Sequence, residues 1–225
     1  MCRVFLYLLV MKKIIPGLNI PVNSIFCIGR NYANHAKEMN APLPESPMVF
    51  IKPVSTICFN GTTIQLPHQS EEIHHEAELV IAIEKEGKNI SKETALDHIA
   101  GFGVGIDFTA RDLQAVAKKK GHPWSVAKGF DQFAPISEFK PLNEINLQDQ
   151  QILLTVNGET RQNGSTSDMI FDVATLISYL STIFTLSEGD LIFTGTPEGV
   201  SAVQSSDVIV ASLPNAEISL TVSIA

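Results

Sequence analysis

Apolar and polar residues alternate along much of this chain with the period of two that a strand requires, because successive side chains on extended backbone face opposite ways. The alternation predicts strands over residues 24–28, 48–52, 78–83, 103–108, 152–156, 191–194, 207–211 and 218–222. Asn157-Gly158, set between ILLTV and ETRQ, predicts a two-residue hairpin, since both turn positions want positive φ. A helical period appears in three places only. Residues 109–120 (TARDLQAVAKKK) put Thr109 and Asp112 in capping-box spacing, end in three lysines and stop at Gly121, as the helix dipole and a left-handed cap favour. Residues 172–183 carry the stripe Val173, Leu176, Ile177 and Leu180 behind Asp172 as N-cap, and residues 31–39 read as a short third helix. Few helices and no regular βαβ alternation predict a strand-rich α+β fold. No repeat or Pro/Gly/Ser-rich linker divides the sequence, so residues 21–225 read as one domain behind an extension or short strand over 1–20.

The apolar ten-mer MCRVFLYLLV is followed by Met11-Lys12-Lys13. Lysines stand where a signal peptide would need small residues, and a spanning helix needs about 20 apolar residues. The expectation is a short strand or an extension upstream of an alternative start at Met11, and a protein with no membrane partner. With 44% hydrophobic residues and a net charge of −8 the chain is not disordered. Its 24 acidic residues against 16 basic ones speak against nucleic acid as a partner. Cys2, Cys27 and Cys58 form no CxxC pair and read as reduced thiols of a cytoplasmic protein.

The sharpest local feature is HHEAELVIAI from His74 to Ile83. On a strand, Ala77, Leu79, Ile81 and Ile83 form one apolar face while Glu76 and Glu78 project together from the other. Two adjacent carboxylates need a cation, a shared proton or bulk water. A hard divalent cation suits them, and an exposed edge strand with two harmless glutamates is the alternative. Asp107 ends the apolar run GFGVGI, where a buried carboxylate is costly unless paired or metal-bound; an ion pair with Arg111 or a helix cap is its bland reading. Gly101, Gly103 and Gly105 lead into and through the predicted strand, not after it, and fit no dinucleotide loop, so they allow close backbone approach or a bend. His35 and Glu38 are neighbours on one helical face, either a general base with its orienting carboxylate or an ordinary surface contact.

Together the stretches CIGRNYANHAKEM (27–39), PMVFIKP (47–53), HHEAEL (74–79), DFTARDLQ (107–114), KKGHPWSVAK (119–128), MIF (169–171) and LIFTGTPEG (191–199) resemble the fumarylacetoacetate hydrolase family, specifically its short acylpyruvase and oxaloacetate-decarboxylase branch. The resemblance runs from about Phe26 to near the C-terminus. It implies a mixed β-sandwich roll, a homodimer, and Mg2+, with Mn2+ as substitute, held by Glu76, Glu78 and Asp107. It further implies Lys128 as the lysine that meets the substrate carboxylate and developing enolate, and His35 and Glu38 as a water-activating dyad on a lid helix. Arg30, Arg111, Gln114 and Thr196 match substrate-binding positions for a small 2-oxo acid. The implied activity is hydrolysis of acylpyruvates (2,4-dioxo acids) to pyruvate and a carboxylic acid, with decarboxylation of oxaloacetate at the same site. An isomerase or decarboxylase of aromatic-acid catabolism within the family, and a non-catalytic metal-binding protein, are the rival readings.

Overall fold

In the computed structural model, which describes residues 12–143 and 145–225, the fold is a strand-rich α+β arrangement built around the strand Ala77–Ile83. This strand is buried along its whole length because both faces meet apolar side chains. Leu79, Ile81 and Ile83 enter one apolar cluster with Phe102, Val104, Ile152, Leu154, Ile209 and Leu220. Val80 and Ala82 enter a second with Cys27, Ile136, Phe139 and Phe193. The alternation predicted from sequence is therefore present, but the strand is central, not an exposed edge.

The larger sheet has eight strands. In hydrogen-bonded order they are Met48–Lys52, Ile25–Gly29, Leu191–Phe193, Ala77–Ile83, Ile99–Ile106, Ala134–Ile136 and Ile57–Phe59, with Lys140–Pro141 also on Ile99–Ile106. Leu191–Phe193 runs parallel to Ile25–Gly29 and Ala134–Ile136 parallel to Ile57–Phe59; the other pairings are antiparallel. A second sheet of five, Glu159–Ser165, Gln151–Val156, Val208–Leu213, Ile218–Ile224 and Thr63–Ile64, lays its apolar face on the first cluster. Its hairpin turns on Asn157 at φ 52° and Gly158 at φ 82°, as the Asn-Gly pair predicts.

Strand ends depart from expectation where glycine interrupts the alternation. The strand predicted over 103–108 begins at Ile99 and stops at Ile106, leaving Asp107 just beyond it. Gly105 does serve close approach: a Cβ there would lie 2.7 Å from the Phe193 ring.

The three predicted helices are Ala33–Glu38, Arg111–Lys120 and Val173–Ile183. Asp172 Oδ1 accepts the Thr175 N–H at 2.7 Å, as an N-cap should, and Gly121 ends the Arg111–Lys120 helix at φ 66°. The capping box is not formed. Thr109–Ala110 pairs as a short strand with Ile73–His75, which takes Thr109 out of cap position, and Asp112 binds the Ser70 hydroxyl and Glu71 N–H instead.

Ile73–His75 is the middle of a three-stranded sheet, flanked by Thr109–Ala110 and Ser201–Ala202. Glu76 is the single residue between Ile73–His75 and Ala77–Ile83, where the chain passes from the small sheet to the large one. The expectation for residues 1–10 lies outside the described residues, and Ile14–Ile15 pairs with Ile20–Pro21, burying Ile15. Among the described residues no helix is long and apolar enough to cross a membrane.

Candidate active site

Three carboxylates from two neighbouring strand ends converge in the interior. Ligand oxygens of Glu76, Glu78 and Asp107 all lie within 4.8 Å of one another, and all three residues are buried. Glu78 sits on the strand beside its corner at Glu76, and the Asp107 N–H donates to the Glu76 carbonyl at 2.8 Å, which fixes the third carboxylate against the other two.

Basic groups compensate this charge. Lys128 Nζ bridges Glu76 Oε2 at 2.8 Å and Asp107 Oδ2 at 2.5 Å, and lies 4.8 Å from the centre of the Phe50 ring. Arg111 pairs with Glu76 Oε1 at 2.6 Å, so the ion pair weighed for Asp107 forms at Glu76 instead. Asp107 is paired by Lys128 and by Lys52, whose Nζ is 2.6 Å from Oδ1. An ammonium has three protons, and Lys52 directs them to the carbonyls of Phe108, Lys128 and Phe133 at 3.1, 2.6 and 2.9 Å. Asp107 Oδ1, held at 2.6 Å, shares the same ammonium with these carbonyls.

Burial alone would raise the Glu76 carboxyl, but Lys128 and then Arg111 override it and hold it well below the usual carboxylate range. Glu78 has no such partner. Burial, then the charges of Asp107 and Glu76, push it well above that range, although Oε2 accepts the Gly195 N–H at 2.7 Å. Gly195 reaches it from φ +98°, with a Cβ there 2.7 Å from Asn31 Cβ, so glycine is required on both counts. Burial works against the Lys128 ammonium, and Asp107 with Glu76 more than offsets it, raising its pKa. Lys52 goes the other way, lowered by burial.

One cleft opens onto this cluster. Arg30, His35, Glu76, Glu78, Arg111, Gln114, Lys128 and Thr196 line it, with Phe50, Met39, Met48, Lys118 and Trp124. Glu38 stands behind His35, with Oε2 3.1 Å from His35 Nδ1, and Asp107 lies beneath, fully buried. The structure thus brings together all ten residues singled out from sequence. Arg30 turns the chain from its strand at φ 59°, a conformation that non-glycine residues adopt mainly where surroundings enforce it. The Ala33–Glu38 helix is docked on the 194–199 turn: Glu38 Oε1 accepts the Gly199 N–H and Asn34 donates to Glu198, both at 3.0 Å. Arg111 donates to Gln114 Oε1 at 2.9 Å, which leaves the Gln114 NH2 as the end offered to a ligand oxygen.

Sequence reading passed over two buried residues here. Lys52 carried a signal, a lysine in the apolar strand MVFIK. Gln162 carried none, standing in the polar run ETRQNGS, where nothing marks it as buried.

The donor set suits a hard divalent cation, being all carboxylate oxygen, buried and convergent. The family model described as fumarylacetoacetate (FAA) hydrolase C-terminal matches residues 24–222, and the chain belongs to that family. It is 49% identical over 190 residues to the mitochondrial oxaloacetate tautomerase FAHD1 of Arabidopsis thaliana, covering 84% of this chain and 85% of that one. It is 46% identical over 187 residues to the mitochondrial oxaloacetate decarboxylase of Dictyostelium discoideum, covering 82% and 86%. The fumarylpyruvate hydrolase of Pseudomonas aeruginosa, solved in complex with Mn2+ and pyruvate, superposes with a TM-score of 0.87 at 39% identity, covering 91% of this chain and 90% of that one. The named relatives are enzymes of small oxo acids, and the acidic triad of this chain is a group of carboxylates that could hold a divalent metal.

Proposed function

We propose that this chain is a metal-dependent enzyme that forms an enolate from a small 2-oxo acid, and that it hydrolyses acylpyruvates to pyruvate and a carboxylic acid. The observation that carries the reading is the His35–Glu38 pair, docked at 3.1 Å over the same cleft into which Glu76 and Glu78 open. Glu76, Glu78 and Asp107 would hold the cation, Mg2+ or Mn2+, which supplies a Lewis acid for the 2-oxo acid when bound.

The chain's own groups do the rest. Four carboxylates (Glu38, Glu76, Glu78, Asp107) face five basic groups (Arg30, Lys52, Arg111, Lys118, Lys128) in and beneath the cleft, so with a divalent cation bound positive charge is left over for an anionic substrate. Lys128 puts its ammonium where enolate charge develops, and Arg30 and the Gln114 amide bind carboxylate or keto oxygen. Glu38 orients the His35 imidazole, which takes a proton from water. The resulting hydroxide adds to the distal acyl carbon, the C–C bond breaks, and its electron pair becomes the pyruvate enolate. The His35 imidazolium then returns the proton to carbon, giving pyruvate.

Oxaloacetate tautomerisation or decarboxylation is the second reading, favoured by the names of the relatives at 49% and 46% identity. Decarboxylation passes through the same pyruvate enolate and tautomerisation through the enolate of oxaloacetate itself, and neither needs an activated water. The reading also includes a homodimer, supported by half-exposed Ile51 and Ile183 in a groove with Trp124 and Tyr179, and a cytoplasmic location, supported by the free thiols of Cys27 and Cys58. Light scattering at the monomer mass would remove the dimer.

The test follows the absorbance of acetylpyruvate and of enol-oxaloacetate in parallel, with Mg2+, Mn2+ or chelator. Acetylpyruvate should be consumed only with metal, and His35→Ala should slow it by about 10²–10⁴-fold while slowing oxaloacetate clearly less. Turnover of oxaloacetate alone would move the assignment to the second reading, and turnover of neither would overturn both.

A further inference from the structure

The Ala77–Ile83 strand loses its neighbour just before it reaches the acidic cluster. Leu191–Phe193 pairs with it from Ala82 to Val80, then turns away through Gly195. Along such a strand alternate residues direct N–H and C=O to the same side, and Ala77 and Leu79 face the side that is vacated. Side chains take over there. The Leu79 carbonyl accepts from the Thr194 N–H at 3.1 Å and its hydroxyl at 2.9 Å. The Ala77 carbonyl accepts from the Thr196 hydroxyl at 2.8 Å, and the Ala77 N–H donates to Gln162 Oε1 at 3.0 Å.

Gln162 reaches across from the five-stranded sheet and is fully buried. Its orientation follows from two groups with fixed roles, because the Ala77 N–H only donates and the Pro197 carbonyl only accepts. Oε1 therefore faces Ala77, and Nε2 donates to Pro197 O at 2.9 Å and to Thr196 Oγ1 at 2.8 Å. His75 Nδ1 must then carry the proton it shares with Gln162 Oε1 at 3.0 Å, which leaves Nε2 to accept from the Ser201 hydroxyl at 2.8 Å. What this chain of bonds holds still is the peptide between Glu76 and Glu78.

We propose that Gln162 is a positioning residue of the cation site: it fixes the Ala77 peptide and the Thr196 hydroxyl so that Glu76 and Glu78 keep the separation a divalent cation needs, with His75 and Ser201 fixing Gln162 in turn. The inference rests on the reading of Glu76, Glu78 and Asp107 as cation ligands. Partners that orient ligands from behind typically change metal affinity by about 10–100-fold when removed.

The measurement is Mn2+ affinity of the full chain by calorimetry, without substrate, beside the melting midpoint in chelator. Gln162→Leu should bind Mn2+ about 10–100-fold more weakly. Gln162→Glu, of the same shape but unable to donate to Thr196 and Pro197, should weaken it in the same direction. His75→Gln supplies a donor to Gln162 and should hold affinity near the parent, while His75→Phe should not. Folded Gln162→Leu and Gln162→Glu that bind within about twofold of the parent, below the usual effect, would overturn the proposal. Should neither fold, equal affinity of His75→Phe and His75→Gln would overturn it. A parent that binds no Mn2+ would overturn the cation-site reading itself, a result distinct from either.

Discussion

Leu79, Ile81 and Val104 meet Ile152, Leu154, Ile209 and Leu220 in an interior that is apolar throughout. On the opposite face of the same strand Glu78 is as deeply buried, but it shares its surroundings with Glu76, Asp107, Lys52, Lys128 and Arg111. The first interior stabilises by removing apolar area from water, about 25 cal/mol per Å². A truncation there costs the lost burial plus the cavity left behind and leaves no charge unpaired. The second buries three acids and three bases together. Its charges are kept by mutual pairing, and removing one strands another. Buried pairs of this kind are weak evidence for stability, so the charged interior is explained by the chemistry it permits, not by what it adds to folding.

Glu78 is where the two requirements conflict most, and its replacement should give the largest effect. Glu78→Gln keeps an acceptor for the Gly195 N–H and removes a charge that Asp107 and Glu76 oppose. Metal-dependent turnover should be abolished, while the melting midpoint measured in chelator should rise above that of the parent. Added Mn2+ should reverse the order, because it stabilises only the chain that binds it. A midpoint lowered in chelator would mean that Glu78 stabilises the metal-free fold.

Lys52 and Leu154 sharpen the contrast. Lys52→Met leaves Asp107 Oδ1 and three carbonyls without their cation, and breaking a buried pair this way costs about 3–5 kcal/mol. Leu154→Ala should cost about 2–5 kcal/mol as a core cavity. The two are similar in denaturant melts, yet calorimetry should find Mn2+ affinity changed in Lys52→Met alone. Equal affinities would show that the charged interior is as modular as the apolar one.

Much of this division was legible in the sequence. Alternation located the strands because one face of most of them meets the apolar cluster, and the Asn157-Gly158 turn fixed a hairpin from two residues. The acidic triad was visible because Glu76 and Glu78 break an apolar run and Asp107 ends another. What could not be read was which base answers which acid. Arg111 is four residues from Asp107 in sequence yet pairs with Glu76, because Thr109–Ala110 is drawn into a sheet before the helix starts. Lys52 meets Asp107 from a strand edge that only the folded sheet brings near. Gln162 belongs to the other sheet, so no local pattern connects it to residue 77.

The smallest effect concerns a residue at the boundary of the two interiors. His75 is fully buried, with Nδ1 facing Gln162 and Nε2 facing the Ser201 hydroxyl. One proton satisfies both contacts, and a second would need Ser201 to turn away. Burial accordingly lowers its pKa from the ordinary 6.5 to about 4. Between those values the unfolded chain takes up a proton at this imidazole and the folded chain does not. The stability His75 contributes is therefore complete above pH 6.5 and is lost progressively as pH falls towards 4. At about 1.4 kcal/mol per pKa unit the difference of roughly 2.5 units amounts to at most about 3 kcal/mol. Other groups, Glu76 and Glu78 among them, titrate in the same interior, so the informative quantity is a difference between two chains. Unfolding of the parent and of His75→Gln, followed in chelator from pH 7 to pH 4, should show the parent losing up to about 3 kcal/mol more than the variant. Two curves that fall in parallel would mean that His75 charges in the folded chain as readily as in the unfolded one, and that the Ser201 contact does not hold its Nε2.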